Sequence, residues 1–167
     1  MSSASLSVLV GKKFACVKIA GRANFASSPD FKTLLSELSQ KGFGHFIIDL
    51  SECVLMDSTF LGVLAGAALE LRKRKPPGSL VLCRVAHRNL ELLRNLGLHR
   101  LLTVDAGDFP MDFGPGATAL NPDPDRSELE NARLVLEAHE NLVATDPANQ
   151  GKFQDVLAFL RNRVEQK

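Results

Sequence analysis

The fold is decided by FIIDLSECVLMDSTFLGVLA, residues 46–65 of the chain. This stretch begins as an apolar run with β-branched residues, crosses a short polar segment and continues with apolar residues at helical spacing, so it predicts a strand, a loop and a helix. Asp57 and Ser58 fall where the loop becomes the helix. A hydroxyl there lies beside unpaired helix N–H groups and the positive end of the helix dipole, which favour a phosphate. The Ser58 hydroxyl is therefore the first candidate functional group.

The segments on either side predict an alternation of strands and helices. Apolar runs at 6–10 and 14–20, separated by Gly11, predict an antiparallel hairpin. Ser28 and Pro29 have the form of a cap and a first helical turn. The segments after the central helix predict a strand over 79–85, a helix over 89–95 and a strand over 101–104. Strands and helices at this spacing imply mainly parallel crossovers, so residues 6–104 are predicted to form a compact α/β sandwich.

The C-terminal third predicts a linker and two helices. Residues 105–126 hold four of the eight prolines, which argues against regular structure. Ser127 begins a capping box and Asp146-Pro147 a second cap and first turn, so residues 127–167 predict an antiparallel helical hairpin. Its apolar faces are too small to be stable alone. We expect it to dock on the core domain, on a second copy as a homodimer, or on another protein.

Composition and charge exclude several classes of protein. Of 167 residues, 45% are hydrophobic and the formal net charge is +1. Residues 1–104 contain 14 basic against 7 acidic residues, whereas residues 105–167 contain 6 against 12. The basic excess is scattered and accompanies no nucleic-acid motif, so no direct nucleic-acid partner is expected. No apolar run approaches the roughly 20 residues of a membrane span and no targeting signal is visible, which predicts a cytoplasmic protein.

The sequence contains no recognisable catalytic motif. It has no GxxxxGK[ST] loop, no GxGxxG after a strand, no HExxH and no GxSxG. Its three cysteines lack metal spacing and are predicted to be reduced core thiols; they are Cys16, Cys53 and Cys83. The four histidines lie far apart in sequence and are predicted to be surface or boundary residues; they are His45, His87, His99 and His139. We therefore expect no enzymatic activity, no metal site and no cofactor.

Three motifs together resemble the STAS domain of bacterial anti-sigma factor antagonists. They are VKIAGR at residues 17–22, IIDLS at 47–51 and MDSTFLGVL at 56–64. The resemblance covers about residues 6–104. It implies a STAS-like α/β fold, with a small mixed β-sheet and helices packed on it. The domain organisation expected is a STAS-like domain over 1–104, a Pro/Gly/Asp-rich linker over 105–126 and a helical hairpin over 127–167.

The resemblance also implies a function for Ser58. This residue matches the serine that a partner serine kinase, itself the anti-sigma factor, phosphorylates, and Asp57 matches the acidic residue before it. The unphosphorylated antagonist binds the kinase and frees a sigma factor, and a serine phosphatase acting on phospho-Ser58 resets the cycle. The implied function is a non-enzymatic phosphorylation switch that regulates sigma-factor-dependent transcription.

Around Ser58, several assignments stay open. Thr59 is the alternative phosphoacceptor. Phe60 stands where glycine is frequent in the family, and its ring is expected either in the core or in contact with the partner. Asp57 and Ser58 also have the composition of an ordinary helix cap. The expected partner-binding surface consists of Asp57, Ser58, Thr59, Phe60, Gly21, Arg22 and Asn24.

Two other functions remain as alternatives. A STAS-like scaffold or transporter-associated subunit would bind partners without control by phosphorylation. An enzyme or small-ligand binder would use the loop predicted at 21–25, where Arg22 is expected to be a surface or partner-contact residue in preference to a phosphate ligand.

Overall fold

The computed structural model describes residues 5–11, 14–105, 118–119 and 127–165. The strands are β1 (Ser5–Val10), β2 (Phe14–Ala23), β3 (His45–Met56), β4 (Ser79–Cys83), β5 (Thr103–Asp105) and β6 (Thr118–Ala119). The helices are α1 (Ser28–Gln40), α2 (Ser58–Lys73), α3 (His87–Asn95), α4 (Glu128–Thr145) and α5 (Asn149–Glu165), and a 3₁₀ turn covers Leu98–Arg100.

The strands form a mixed sheet in the order β5-β4-β3-β2-β1-β6. Strands β2, β3, β4 and β5 are parallel to one another, whereas β1 is antiparallel to both β2 and β6. In β3, Phe46, Ile48 and Leu50 are almost fully buried, as expected for a central strand of a parallel sheet. The predicted STAS-like α/β fold, with its antiparallel N-terminal hairpin, is confirmed.

Strands β2 and β3 extend further than the sequence pattern predicted. Gly21 and Arg22, expected in a loop, continue β2 and pair with Cys53 and Leu55 of β3. The pairing continues past the polar residues of β3 through two register shifts. Because β3 runs to Met56, the loop predicted before α2 is reduced to one residue, and the end of the sheet leads directly into the Ser58 helix.

Two smaller differences concern caps and the linker. Ser28 lies inside α1, and Ser27 occupies the cap position without a capping side-chain hydrogen bond. Within the predicted linker, Thr118–Ala119 form a short edge strand beside β1, although the proline content predicted no regular structure. The backbone of β1 pairs with these two residues, so a contact distant in sequence forms a strand that the local composition does not predict. The other residues of 106–126 lie outside those described.

The C-terminal helices pack on the domain through α2. Ser127 caps α4 as predicted, because its hydroxyl accepts a hydrogen bond from the Glu130 amide at 3.1 Å. Ala138 and Leu142 of α4 belong to the same apolar cluster as the sheet and helices α1 and α2. Of the three docking alternatives, the structure shows the hairpin on the core domain of its own chain. Among the described residues, no helix has the length and apolar character needed to cross a bilayer.

Candidate functional site

Asp57 is the N-cap of α2, and its carboxylate joins two segments of the chain. One oxygen, Oδ1, accepts a hydrogen bond from the Phe60 amide at 2.9 Å, within the first turn of α2. The other, Oδ2, accepts one from the Phe25 amide at 2.8 Å, in the loop between β2 and α1. The carboxylate therefore satisfies a helix donor and holds the β2–α1 loop against the start of α2.

Ser58 is the first residue of α2, and its hydroxyl bonds to a side chain from the far end of the sequence. The Ser58 Oγ lies 2.9 Å from Nε2 of His139, on α4. Ser58 is half-buried, while His139 is only 3% exposed. The ordinary-cap interpretation therefore holds for Asp57, which is the N-cap, whereas the Ser58 hydroxyl is not needed for capping.

The orientation of the His139 ring follows from its second nitrogen. Nδ1 lies 2.7 Å from the carbonyl oxygen of Val135, one turn earlier in α4. A carbonyl only accepts, so Nδ1 bears the proton and, in the neutral ring, Nε2 accepts the proton of the Ser58 hydroxyl. Phe153 of α5 meets the imidazole edge-on, with ring centroids 4.9 Å apart. Both helices of the hairpin therefore fix the ring over Ser58.

The two residues after Ser58 face inward. Thr59 is 4% exposed, so the alternative phosphoacceptor is much less accessible than Ser58. The Phe60 ring is fully buried and packs against Phe31 of α1, with centroids 4.7 Å apart. Of the two environments expected for Phe60, the structure shows the core, so this side chain does not face a partner. The expectation that Phe60 belongs to the partner-binding surface is therefore wrong.

The three predicted residues from the β2 side have different environments. Gly21 has a φ of 95°, a conformation that favours glycine, and Arg22 is exposed at the end of β2. Asn24 organises the loop before α1, since its carbonyl accepts hydrogen bonds from the Ser27 and Ser28 hydroxyls at 3.1 and 2.8 Å. Of these three residues, only Asn24 lies in a segment that bonds directly to Asp57. The amide of the next residue, Phe25, donates to the Asp57 carboxylate.

An exposed apolar surface lies at this same end of the sheet. Phe25 is 62% exposed and Val54 is 65% exposed. Phe25 follows Asn24, and Val54 lies on β3 between residues that pair with Gly21 and Arg22. Because both side chains lie at the end of the sheet where α2 begins, they are candidate contacts for another protein. Neither residue is distinguished in the sequence, since each has an ordinary position in a strand or a loop.

His139 is the functional neighbour that the sequence analysis missed. The prediction that it is a surface or boundary residue is wrong, because it is buried in the α2–α4 interface. One feature of the sequence does indicate burial: His139 lies in an apolar stripe of α4, where a polar residue needs a hydrogen-bond partner. The sequence did not identify that partner, because 81 residues separate His139 from Ser58.

The other chemistry-bearing residues lie apart from Ser58. All three cysteines are buried, as predicted for core thiols. Burial, together with the nearby Asp49 carboxylate, raises the pKa of the Cys16 thiol to about 11, and burial also raises the pKa of Cys53. Within the described ranges, no three side chains of His, Cys, Asp or Glu are grouped as metal ligands.

Removing the Asp57 carboxylate is expected to loosen the start of α2. Asp57→Ala leaves the amides of Phe25 and Phe60 without their acceptors, and we expect the free energy of unfolding to fall by about 1–2 kcal/mol. Asp57→Asn retains one acceptor and should lose less. Urea unfolding followed by circular dichroism measures the change, with Asp155→Ala on the exposed face of α5 as control. Equal stability of Asp57→Ala and the control would show that the carboxylate does not join these segments.

The family model for the STAS domain matches residues 5–107. This match spans more than half of the chain, and the chain therefore belongs to the STAS domain family. The matched region includes the whole Asp57–Phe60 segment and ends before α4. The helices that cover Ser58 consequently lie outside the family match.

Several solved structures of anti-sigma factor antagonists are similar to this chain. SpoIIAA in its unphosphorylated form has 14% identity and a TM-score of 0.51, over 62% of this chain and 89% of SpoIIAA. An antagonist from Mycobacterium paratuberculosis has 16% identity and a TM-score of 0.55, over 61% and 85% of the two chains. The Bacillus cell fate determinant SpoIIAA in its phosphorylated form has 16% identity and a TM-score of 0.50, over 60% and 91%. At these identities, the similarity establishes the fold.

Proposed function

We propose that this chain is a non-enzymatic phosphorylation switch of the anti-sigma factor antagonist type, acting in the cytoplasm. With Ser58 unphosphorylated, it binds a serine kinase that is itself an anti-sigma factor, and a sigma factor is released. Phosphorylation of Ser58 ends the binding, and a serine phosphatase restores it. In the transfer, Ser58 Oγ forms a bond to the γ-phosphorus of ATP, ADP leaves, and the hydroxyl proton passes to a base of the kinase.

The observation that carries this proposal is the position of the Ser58 hydroxyl at the first residue of α2. Asp57 satisfies the capping requirement, so the structure of α2 does not depend on the Ser58 hydroxyl. A serine that is dispensable for its own helix fits the role of a substrate. The membership of the STAS family and the phosphorylated and unphosphorylated structures of SpoIIAA support the same assignment.

The electrostatics around Ser58 explain how a phosphoryl group would end binding. The group adds about −1.5 to −2 charges at pH 7, next to the Asp57 carboxylate. That carboxylate already accepts the hydrogen bond of the Phe60 amide, so fewer helix N–H groups remain to stabilise the added charge. A partner surface fitted closely to the unphosphorylated serine would meet repulsion and a desolvation cost. Loss of binding then requires no refolding of the domain.

The exposed apolar side chains give the partner a place to bind. Phe25 and Val54 lie at the edge where β2 and β3 end, and the Phe25 amide is tied to the Asp57 carboxylate. The partner is therefore expected to cover Phe25, Val54 and the exposed Arg22 together with the start of α2. A negative charge placed on Ser58 would lie at the border of this surface.

Substitutions at Ser58 test the switch. We expect Ser58→Ala to retain the kinase partner in a pull-down, because it cannot be phosphorylated, and Ser58→Asp to lose at least about tenfold in affinity through the added charge. Ser51→Ala, at an exposed serine of β3, is the matched control and should behave as wild type. If Ser58→Ala and Ser58→Asp both bound the kinase as wild type does, phosphorylation control would be excluded.

A second function is favoured by a different observation. The hydroxyl of Ser58 is already hydrogen-bonded to His139 within the chain. This arrangement also fits a STAS scaffold or transporter-associated subunit that is never phosphorylated and in which Ser58 fastens the hairpin to the domain. Mass spectrometry of protein purified from its own cells separates the two functions. Phosphate on Ser58 supports the switch, and capture of a transporter by unmodified protein supports the scaffold.

A further inference from the structure

We propose that the C-terminal hairpin, α4 and α5, is an intramolecular cover over Ser58, and that the hairpin must leave α2 before a kinase can phosphorylate this residue. The inference rests on the proposed function of Ser58 and adds its regulation. The family match supplies no part of it, since the match ends at residue 107. It follows from the contacts between α2 and α4.

The first contact is the hydrogen bond between Ser58 and His139. With Oγ and Nε2 only 2.9 Å apart, the imidazole occupies the space that a transferred phosphorus atom and its oxygens would need. In the neutral ring, Nε2 accepts the Ser58 hydroxyl proton, so this proton is not available to a base of the kinase while the hairpin is docked. The ring cannot swing aside easily, because Val135 holds Nδ1 and Phe153 packs against the ring edge. Displacing His139 therefore requires movement of α4.

The second contact is the close approach of the two helix backbones. Gly62 of α2 faces the backbone of Ala138 so closely that a methyl group at position 62 would overlap the Ala138 carbonyl. Asn141, two residues after His139, donates from Nδ2 to the Gly62 carbonyl at 3.3 Å. Backbone overlap cannot be relieved by rotating a side chain. This close approach sets the distance between α2 and α4, and in this docked position His139 lies against Ser58.

The third contact fixes the hairpin turn to the domain. The Asn149 side chain is fully buried and donates from Nδ2 to the carbonyls of Leu96 and Leu142, at 2.9 and 2.8 Å. It thus links the start of α5, the end of α4 and the segment after α3. An ion pair of 2.8 Å between Lys32 and Glu137 adds a weaker link between α1 and α4, since both side chains are largely exposed.

Docking and phosphorylation should therefore exclude each other. A kinase acts only on the undocked fraction, so the rate of phosphorylation falls in proportion to that fraction. By reciprocity, a phosphoryl group on Ser58 favours the undocked hairpin, and so does a partner that needs the same face of α2. Whatever binds or releases the hairpin would then control the entry of Ser58 into the phosphorylation cycle.

Thiol labelling of the full chain tests the cover without a kinase. Ser58→Cys introduces a reactive group in a chain whose own three cysteines are buried, so the background is low. Ser51→Cys is the exposed reference. We expect labelling per thiolate, measured across pH, to be at least about tenfold slower at position 58 than at position 51.

A second substitution then releases the cover. Gly62→Ala is expected to raise labelling at position 58 at least about fivefold, because it displaces α4 while favouring the helical conformation of α2. Gly151→Ala is the matched control, since a methyl group there meets no atom within 4 Å, and it should leave labelling unchanged. If Gly62→Ala does not fold, His139→Ala removes the covering ring without the overlap and should give the same acceleration. Equal labelling at positions 58 and 51 in the otherwise native chain would overturn the cover.

A phosphorylation assay with the kinase tests separately whether the hairpin covers Ser58 and whether Ser58 is the phosphoacceptor. With the serine kinase captured by Ser58→Ala, wild type should be phosphorylated more slowly than Gly62→Ala and at the same rate as Gly151→Ala. Equal rates for wild type and Gly62→Ala would overturn the cover while leaving Ser58 as the phosphoacceptor. Slow labelling released by Gly62→Ala, with no phosphorylation of any variant, would overturn the proposed function and the regulatory role built on it.

Discussion

Phe60→Ala is expected to lower the free energy of unfolding by about 3–5 kcal/mol. The ring has no exposed surface and lies against Phe31, so it joins α2 to α1 at the level of the candidate site. Its removal takes away a large buried apolar group and leaves a cavity that a close-packed core fills only in part. A loss of this size is a large fraction of the 5–15 kcal/mol that is typical of a folded domain.

Chemical unfolding followed by far-ultraviolet circular dichroism measures this loss. The chain contains no tryptophan or tyrosine, so the helical signal is the suitable probe. Phe25→Ala is the matched control, because its ring is 62% exposed and should change stability by no more than about 0.5 kcal/mol. A Phe60→Ala protein as stable as the Phe25→Ala protein would contradict the assignment of Phe60 to the core.

The order of strands and helices was predictable because it follows from local patterns. Apolar alternation, a glycine turn and the change to helical spacing near Asp57 define β1, β2, β3 and α2. The ends of the strands were not predictable in the same way. Gly21 and Arg22 remain in β2 because they have pairing positions on β3, and that tertiary effect overrides local turn composition.

The candidate site was predictable only as far as one segment of chain determines it. Asp57 and Ser58 were identified from the helix start, where the residue types have a local reason. The environment of Ser58 depends on α4, and the packing of α4 depends on a glycine and an alanine at residues 62 and 138 that let two backbones approach. Small residues in a helix have many explanations, so this contact, and with it the role of His139, required the structure.

Leu142→Ala is expected to destabilise the whole molecule by about 2–5 kcal/mol, and not the hairpin alone. Leu142 has no exposed surface and belongs to the apolar cluster that includes the sheet and helices α1 and α2. Its carbonyl also accepts a hydrogen bond from Nδ2 of the buried Asn149 side chain, so a shift of α4 there disturbs the hairpin turn. Because the hairpin shares its core with the domain, we expect both to unfold in one transition at a lower denaturant concentration.

Hydrogen exchange measured by mass spectrometry tests this prediction, because it reports the protection of amides in each segment separately. In Leu142→Ala, amides of α4 and of the first turns of α2 should lose protection together, because the two helices protect each other. Val156→Ala is the matched control, since that side chain on α5 is 40% exposed and its truncation should leave both segments protected. Loss of protection confined to α4 and α5, with α2 unchanged, would mean that the hairpin is an independent appendage. That result would contradict the shared core and the single unfolding transition expected here.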